Sequence, residues 1–310
     1  MGIVVFGAVF VDIKGYPVDK YIAGGRNVGY VVQTHGGVSR NVAEDIANVE
    51  LRPTFVSVVD HSGTSTDVLK RLERHKINTK YIVRKDGGLG TWLAVFDNSG
   101  DVTASISQRP DLSPIRLVLE EHGDEIFSTA DSIAVEIDID QKILKRIFAL
   151  AAKYGKKVYA VVSNMSLAME RRDLLRECDC IICNEQEAGM LFSVEYENRT
   201  PQDFLDLLRR SIFTAGFRRM VVTLGSQGAV YASQDGESGY TPPQKVDVID
   251  TTGAGDAFFA GCAIGLTYGK TLAQSCEIGT RLAASVICTK ESVCPRFNPQ
   301  EFDLQITPEE

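Results

Sequence analysis

Apolar positions along this chain fall into two alternating patterns. Short runs rich in valine and isoleucine have the length of buried strands, and the segments between them repeat their apolar residues at helical spacing. The chain opens on one such run, Gly2-Ile3-Val4-Val5-Phe6-Gly7, which has no basic lead-in and is ended by Asp12. It predicts a first buried strand and not a signal peptide. Further strands are predicted at Phe55–Val59, Ser132–Val135, Lys157–Val162, Cys180–Cys183 and Met220–Thr223. Helices are predicted at Val68–His75, Ile143–Tyr154, Glu185–Phe192 and Pro201–Ala215, and from Ala254 to about Cys288. Strands alternating with helices imply a mainly parallel sheet covered by helices on both faces, an α/β sandwich.

Two segments break this rhythm. Val28–Gln33, after Gly24-Gly25, and the pair Thr91–Phe96 and Val102–Ser107 across Asn98-Ser99-Gly100 read as antiparallel strands and a hairpin. No linker, repeat or low-complexity tract divides the chain, so residues 1–310 read as one domain.

Composition narrows the functions open to such a domain. A net charge of −8 lacks the basic face of a nucleic-acid binder. No apolar run approaches the roughly 18 residues of a membrane span. Seven cysteines, an odd number scattered through apolar segments, suggest reduced thiols and a cytoplasmic protein. Cys180 and Cys183 have metal-like spacing but no second pair or histidine to complete a site. The glycosylation sequons at Asn164 and Asn198 carry no meaning without secretion.

The most informative stretch is Asp250-Thr251-Thr252-Gly253-Ala254-Gly255-Asp256, a polar turn running into the apolar segment Ala257–Leu266. It predicts a loop feeding the N-terminus of a buried helix, where unpaired N–H groups favour an anion such as phosphate. An acid in that first turn would repel the phosphate unless it takes a proton from an attacking hydroxyl. The alternative is that Asp256 only caps the helix. Gly36-Gly37-Val38-Ser39-Arg40-Asn41 precedes a second helical segment containing Val42, Ile46 and Val49; on its own it reads as a turn and a helix start with Ser39 as N-cap.

Together these two stretches resemble the signatures of the ribokinase-like (PfkB) sugar and nucleoside kinases, D-T-x-G-A-G-D-x-F and G-G-x-x-x-N. The resemblance covers most of the chain and implies a ribokinase-like three-layer α/β/α sandwich whose irregular strands, from about 14–34 and 90–108, form a small β lid. It implies transfer of the γ-phosphoryl of ATP to a primary hydroxyl of a sugar or nucleoside. Gly253, Ala254 and Gly255 would form the anion hole and Asp256 would be the catalytic base. Gly36 and Gly37 would let the acceptor approach, with Asn41 bonding its hydroxyls and Asp12 accepting from a vicinal diol. Glu136, Thr91 and Arg109 are further acceptor-site candidates, at a strand end and on or beside the lid.

Asn184-Glu185-Gln186-Glu187 reads locally as a capped helix start and resembles the family's N-x-x-E element, in which Glu187 would act through water on Mg²⁺ and Asn184 would lie near the phosphates. Thr223-Leu224-Gly225-Ser226-Gln227-Gly228 reads locally as a hairpin and resembles an element that contacts ATP, through Thr223, Gly225 and Gly228. Asp250 and Thr252, with carbonyls from residues 286–292, would hold a monovalent cation such as K⁺, a place the Lys290 amine could fill instead. The family also pairs its lids, which implies a homodimer. Gly36–Asn41 with Arg40, and Asp12–Pro17, look more like pseudouridine-kinase-like members than ribokinase.

Other readings fit less well. A catalytically silent sugar or nucleoside sensor would be expected to have lost the base or the anion hole, and both are intact. A ligase would need further acceptor domains. Gly265–Thr271 is one residue short of a P-loop and ends a helix, and Gly2 and Gly7 do not form a dinucleotide turn.

Overall fold

The computed structural model describes residues 2–162, 165–197 and 199–304. The sequons at Asn164 and Asn198 lie outside these residues. Seven strands of the large sheet run parallel, six of them where the sequence patterning predicts: β1 (Ile3–Phe6), then, beyond two strands of a separate small sheet, β2 (Phe10–Pro17) and β3 (Gly29–Gly36), the strand β4 (Thr54–Val59). β5 (Ile82–Arg84) completes that side of the large sheet, and β6 (Gly90–Phe96) and β7 (Val102–Gln108) complete the small one. The large sheet continues with β8 (Ser132–Glu136), β9 (Val158–Val161), β10 (Cys180–Asn184), β11 (Arg219–Thr223) and a terminal hairpin of β12 (Ala229–Ser233) and β13 (Ser238–Thr241). Its order is β13-β12-β11-β10-β9-β8-β1-β4-β5, and only β12 and β13 run antiparallel to their neighbours.

Helices cover both faces. The chain enters α1 (Val38–Asn48) and α2 (Gly63–Arg74) on one side, then α3 (Ile115–Thr129) and α4 (Gln141–Tyr154) on the other. α5 (Met165–Glu170), α6 (Arg172–Glu177), α7 (Glu185–Phe192) and α8 (Pro201–Ala215) follow, and α9 (Ala254–Thr267) and α10 (Leu272–Ile287) return to the first side. One apolar cluster joins α3, α4, α6, α7 and α8 to the sheet, and a second joins α1, α2, α9 and α10 to its other face. Cys183 belongs to the first cluster and Cys180 to the second, so the two thiols point to opposite sides of β10 and cannot chelate one ion. All seven cysteines are free. No described helix is long and apolar enough to cross a membrane.

Three expectations change. The helical C-terminal third is two helices, broken at residues 268–271, where Gly269 takes a φ of 81° and Thr271 caps α10 by accepting from Gln274 N–H. Ser39 is not an N-cap: Gly37 holds that position, with a φ of 99°. Asp12 does not mark the end of the first strand; it is the third residue of β2, whose alternation of apolar and polar residues is a half-buried strand. The small sheet has the order β3-β2-β6-β7, with β2 and β6 parallel and the outer pairs antiparallel.

Candidate active site

α9 is apolar all round, with every residue from Ala257 to Leu266 buried, so it is fixed from all sides. Its N-cap, Gly253, takes a φ of 84°, and a Cβ there would lie 2.1 Å from the Ser292 carbonyl oxygen. Only glycine can make this turn against the loop after α10. At the helix start, Ala254 N–H is taken by the Thr251 carbonyl at 3.2 Å, whereas Gly253, Gly255 and Asp256 N–H groups find no acceptor among the described residues. The open donors of the predicted anion hole are therefore those of Gly253 and Gly255 with Asp256, and Ala254 is the exception.

Asp256 is third in the helix and is not its cap. Its Oδ2 accepts from Asn41 Nδ2 at 2.6 Å, so the two glycine motifs meet here. The side chain is half-buried, yet its carboxyl is ringed by protein atoms, and this burial pushes its pKa up to about 7. Asn41 and Arg40 pull the value down, while the carboxyls of Glu136 and Asp12 push it further up.

A cavity of about 270 Å³ opens beside this pair, between β2 and β3 of the small sheet, the start of α1 and the loops before α9 and after α10. Asp12, Gly36, Asn41, Asp250 and Thr252 all line it, with Lys14 and Lys290. Burial raises the Asp12 carboxyl above its ordinary range, against the pull of Lys14 and Arg40. Gly36 must lack a side chain, because a Cβ would lie 2.5 Å from the Asp12 carboxylate. Asp250 Oδ1 accepts from Thr252 N–H at 2.8 Å; burial opposes its ionisation, but the Thr252 contacts and Lys14 hold its pKa below the usual value. Ile249 N–H donates to the Ile287 carbonyl at 2.7 Å, which ties this turn to the end of α10.

The other candidates are placed differently. Glu136 is buried, and its Oε2 accepts from Ala8 N–H at 3.1 Å and from Ser39 Oγ at 2.8 Å, which makes it a strut between β8 and α1. Thr91 is paired with Val11 and Trp92 with Asp12, so Thr91 points away from the Asp12 face of the small sheet and Trp92 points with it. Arg109 is half-exposed and lies 3.4 Å from Asp138. Asn184 and Glu187 form a reciprocal cap on α7, each accepting from the other's N–H at 2.8 Å. Burial raises the Glu187 carboxyl, the Asn184 bond lowers it and nearby Asp138 raises it. Asn184 and Thr223 are adjacent at the ends of β10 and β11, and Gly225 and Gly228 form the tight loop of the β11–β12 hairpin with φ of 54° and 87°. Sequence reasoning missed Ser39 and Arg40 as parts of this site, with only the double glycine before them as a hint; it offered Ser292 only as the end of a carbonyl-bearing loop, whereas its hydroxyl donates to Asn41 Oδ1 at 3.1 Å.

A parallel α/β sandwich with an open helix N-terminus, a carboxyl at that terminus and a polar cavity beside it is the architecture of a small-molecule kinase. Residues 2–297 match the family described as pfkB family carbohydrate kinase, and the chain belongs to it. It is 32% identical over 292 residues to the guanosine-inosine kinase of Exiguobacterium acetylicum, covering 94% of this chain and 95% of that one. It is 26% identical over 275 residues to the pseudouridine kinase of Escherichia coli, covering 88% and 86%. Among solved structures, the ribokinase of Arabidopsis thaliana complexed with ribose and ATP superposes with a TM-score of 0.82 at 20% identity, covering 98% of this chain and 99% of that one, a likeness of fold.

Proposed function

We propose that this ATP-dependent carbohydrate or nucleoside kinase acts on a nucleoside, phosphorylating the primary hydroxyl of its ribose. The observation that carries the phosphoryl-transfer reading is Asp256. It is a carboxyl held at 2.6 Å by Asn41, at an open helix N-terminus, with its pKa near 7. A base poised near neutrality takes the hydroxyl proton as the bond to phosphorus forms. The unpaired N–H groups of Gly253 and Gly255 would meet the charge spreading over the transferred group. An intact base and anion site speak against a silent sensor.

A nucleoside acceptor is supported by the small sheet. Asp12 offers a carboxylate to the ribose diol, and aromatic side chains continue the same face. Tyr16 stacks on Tyr30 at 5.2 Å and on Phe96 at 4.7 Å between ring centroids, and Trp92 lies edge-on to Phe96 at 6.5 Å. A free pentose needs no such surface, whereas a base has a flat π-face to lay on it. The guanosine-inosine kinase and pseudouridine kinase relatives point the same way.

Residues 1–310 act in this reading as one domain, the small sheet closing over the acceptor as a lid. Asn184, Thr223, Gly225 and Gly228 would line the ATP side. Mg²⁺ takes oxygen ligands and keeps several waters, which fits the Glu187 carboxylate in the first turn of α7; when bound it would neutralise phosphate charge. Asp250 and Thr252 would hold K⁺. The face of the small sheet opposite Asp12 presents Val31 at 71% exposure and Ile106 at 69%, an apolar surface suited to a second copy of the chain. Free, buried thiols suit a cytoplasmic protein.

The test is ADP release with guanosine, inosine, pseudouridine and ribose under one condition. A nucleoside should give the highest kcat/KM. Ribose as the best acceptor would overturn the nucleoside assignment, and no release with any sugar or nucleoside would overturn the kinase.

A further inference from the structure

Asp256 touches the N-terminal half of the protein through Asn41, whose carboxamide has a donating and an accepting end. Turned by half a rotation, it would present its oxygen to the carboxylate. The opposite end holds the orientation: Asn41 Oδ1 accepts from Arg40 Nη2 and from Ser292 Oγ, the latter at 3.1 Å. Arg40 is wholly buried. Its Nε donates to the Gly36 carbonyl at 3.1 Å, its Nη2 to the His35 carbonyl at 2.7 Å and its Nη1 to Glu44 Oε1 at 2.6 Å. Glu44, also buried, accepts from Arg71 Nε at 2.8 Å through its other oxygen, and Arg71 reaches Glu291 at 3.3 Å.

A helix start does not need a buried guanidinium, and an apolar side chain would fill the space at lower desolvation cost. Arg40 instead gathers acceptors from three places: the end of β3, the face of α1, and Ser292 Oγ, at 3.3 Å, in the loop after α10 that abuts Gly253. Resting on the kinase reading above, we propose that Arg40 is a positioning residue of the transfer centre. It fixes the Asn41 carboxamide with its N–H groups toward Asp256, and it ties the small sheet carrying Asp12 to the proton acceptor.

The charged groups around Asp256 make this testable. From α1 come Arg40, Glu44 and the buried Asp45; from β2, Asp12 and Lys14; from β8, Glu136. His35 lies at the end of β3, Arg71 on α2, Asp250 before α9, and Lys290 and Glu291 after α10. Arg40 opposes the carboxyls of Asp12 and Glu136 in setting the Asp256 charge. Its loss would leave only the Asn41 hydrogen bond against them, so the base would need a higher pH to ionise.

The experiment measures kcat, the KM for ATP and the pH–rate profile of Arg40→Met and Arg40→Lys beside wild type and Asp256→Asn, each with its melting temperature. Arg40→Met should lower kcat about tenfold or more and move the acidic limb to higher pH, with the KM for ATP changing less than about twofold. Arg40→Lys keeps the charge but not the fork of donors, so the limb should stay while kcat falls. If Arg40→Met does not fold, Arg40→Lys at near-wild-type melting temperature decides alone. Wild-type kcat and an unmoved limb in the folded variants would overturn the proposal while Asp256→Asn is inactive. Wild-type turnover by Asp256→Asn would instead remove the base, and this proposal with it.

Discussion

Asp256→Asn should make the folded protein more stable at neutral pH while abolishing most of its activity. Burial raises the carboxyl from its ordinary 3.8 to about 7 in the folded chain, and unfolding returns it to the lower value. Below both values each state holds the proton and the residue contributes no difference. Between them the folded state retains a proton that the unfolded chain has released, so each pH unit upward weakens the fold by up to about 1.4 kcal/mol. Above the folded value the penalty is constant. The full shift corresponds to about 4 kcal/mol; the residue is half-buried at a site mouth, and solvent reduces this to roughly 2 kcal/mol.

Asparagine never ionises and escapes that penalty while keeping an oxygen for Asn41. The specific entropy of unfolding gives about 0.65 kcal/mol per kelvin for a chain of 310 residues, so 2 kcal/mol becomes about 3 °C. Melting of both proteins without nucleotide, from about pH 4 to about pH 8.5, should show the variant's advantage growing through this window and levelling above about pH 7. Its kcat near pH 8 should fall at least about a hundredfold. The wild-type rate should fall with acidification through about pH 7. An advantage that does not change with pH, or a variant less stable than wild type near pH 8, would refute the claim that the fold holds Asp256 against its charge.

Four further outcomes follow from the same geometry. Asp12→Ala should raise the Kd for the acceptor at least about tenfold and that for ATP less than about twofold; separate titrations check this, and equal loss of both would remove Asp12 from the acceptor site. Glu187→Gln should raise the Mg²⁺ concentration for half-maximal rate, and K⁺ should increase the rate over a large organic cation at equal ionic strength; identical rates in the two salts would mean that Asp250 and Thr252 need no ion. Val31→Lys with Ile106→Lys should halve the sedimenting mass if the small sheets pair, and an unchanged mass would place any dimer contact elsewhere.

The sandwich was legible because six of its seven parallel strands are apolar runs, such as Phe55–Val59, near segments of helical spacing; the short β5, ending in Arg84, was not. The helix at Asp256 was legible for a similar reason: a polar turn with two glycines adjoins ten apolar residues. β2 was legible only in part, through the lid strands from about residue 14 that the resemblance implies, because Asp12 and Lys14 interrupt its apolar positions. Their side chains share a face that opens on the cavity, where a polar residue in a strand is free of the core. The terminal β12–β13 hairpin and α3 were also not anticipated. Glu136 and Asn184–Glu187 carry residue types that suit a ligand, but whether a carboxylate faces a ligand or braces its own backbone depends on tertiary neighbours. Glu136 bonds Ala8 and Ser39, which are distant in sequence.

The buried pair Arg40 and Glu44, with half-buried Arg71, illustrates the same limit from the opposite direction. A sequence reader expects these charges on a solvated face, since few are ever fully buried without partners. Glu44 lies one helical turn from Arg40, a local i,i+4 pair, but the other partners come from β3, α2 and the loop after α10, and no local pattern records those. Their position explains how the site keeps a carboxyl that weakens the fold. An ionised Asp256 beside Asp12 and Glu136 would move toward water if its surroundings could yield. α9 is locked by apolar packing on every side, Gly261 meets α10 at backbone distance, and Arg40 fixes Asn41, whose side chain bonds the carboxyl. Rigid support on both sides turns an unfavourable charge into a base that stays where the hydroxyl proton must go.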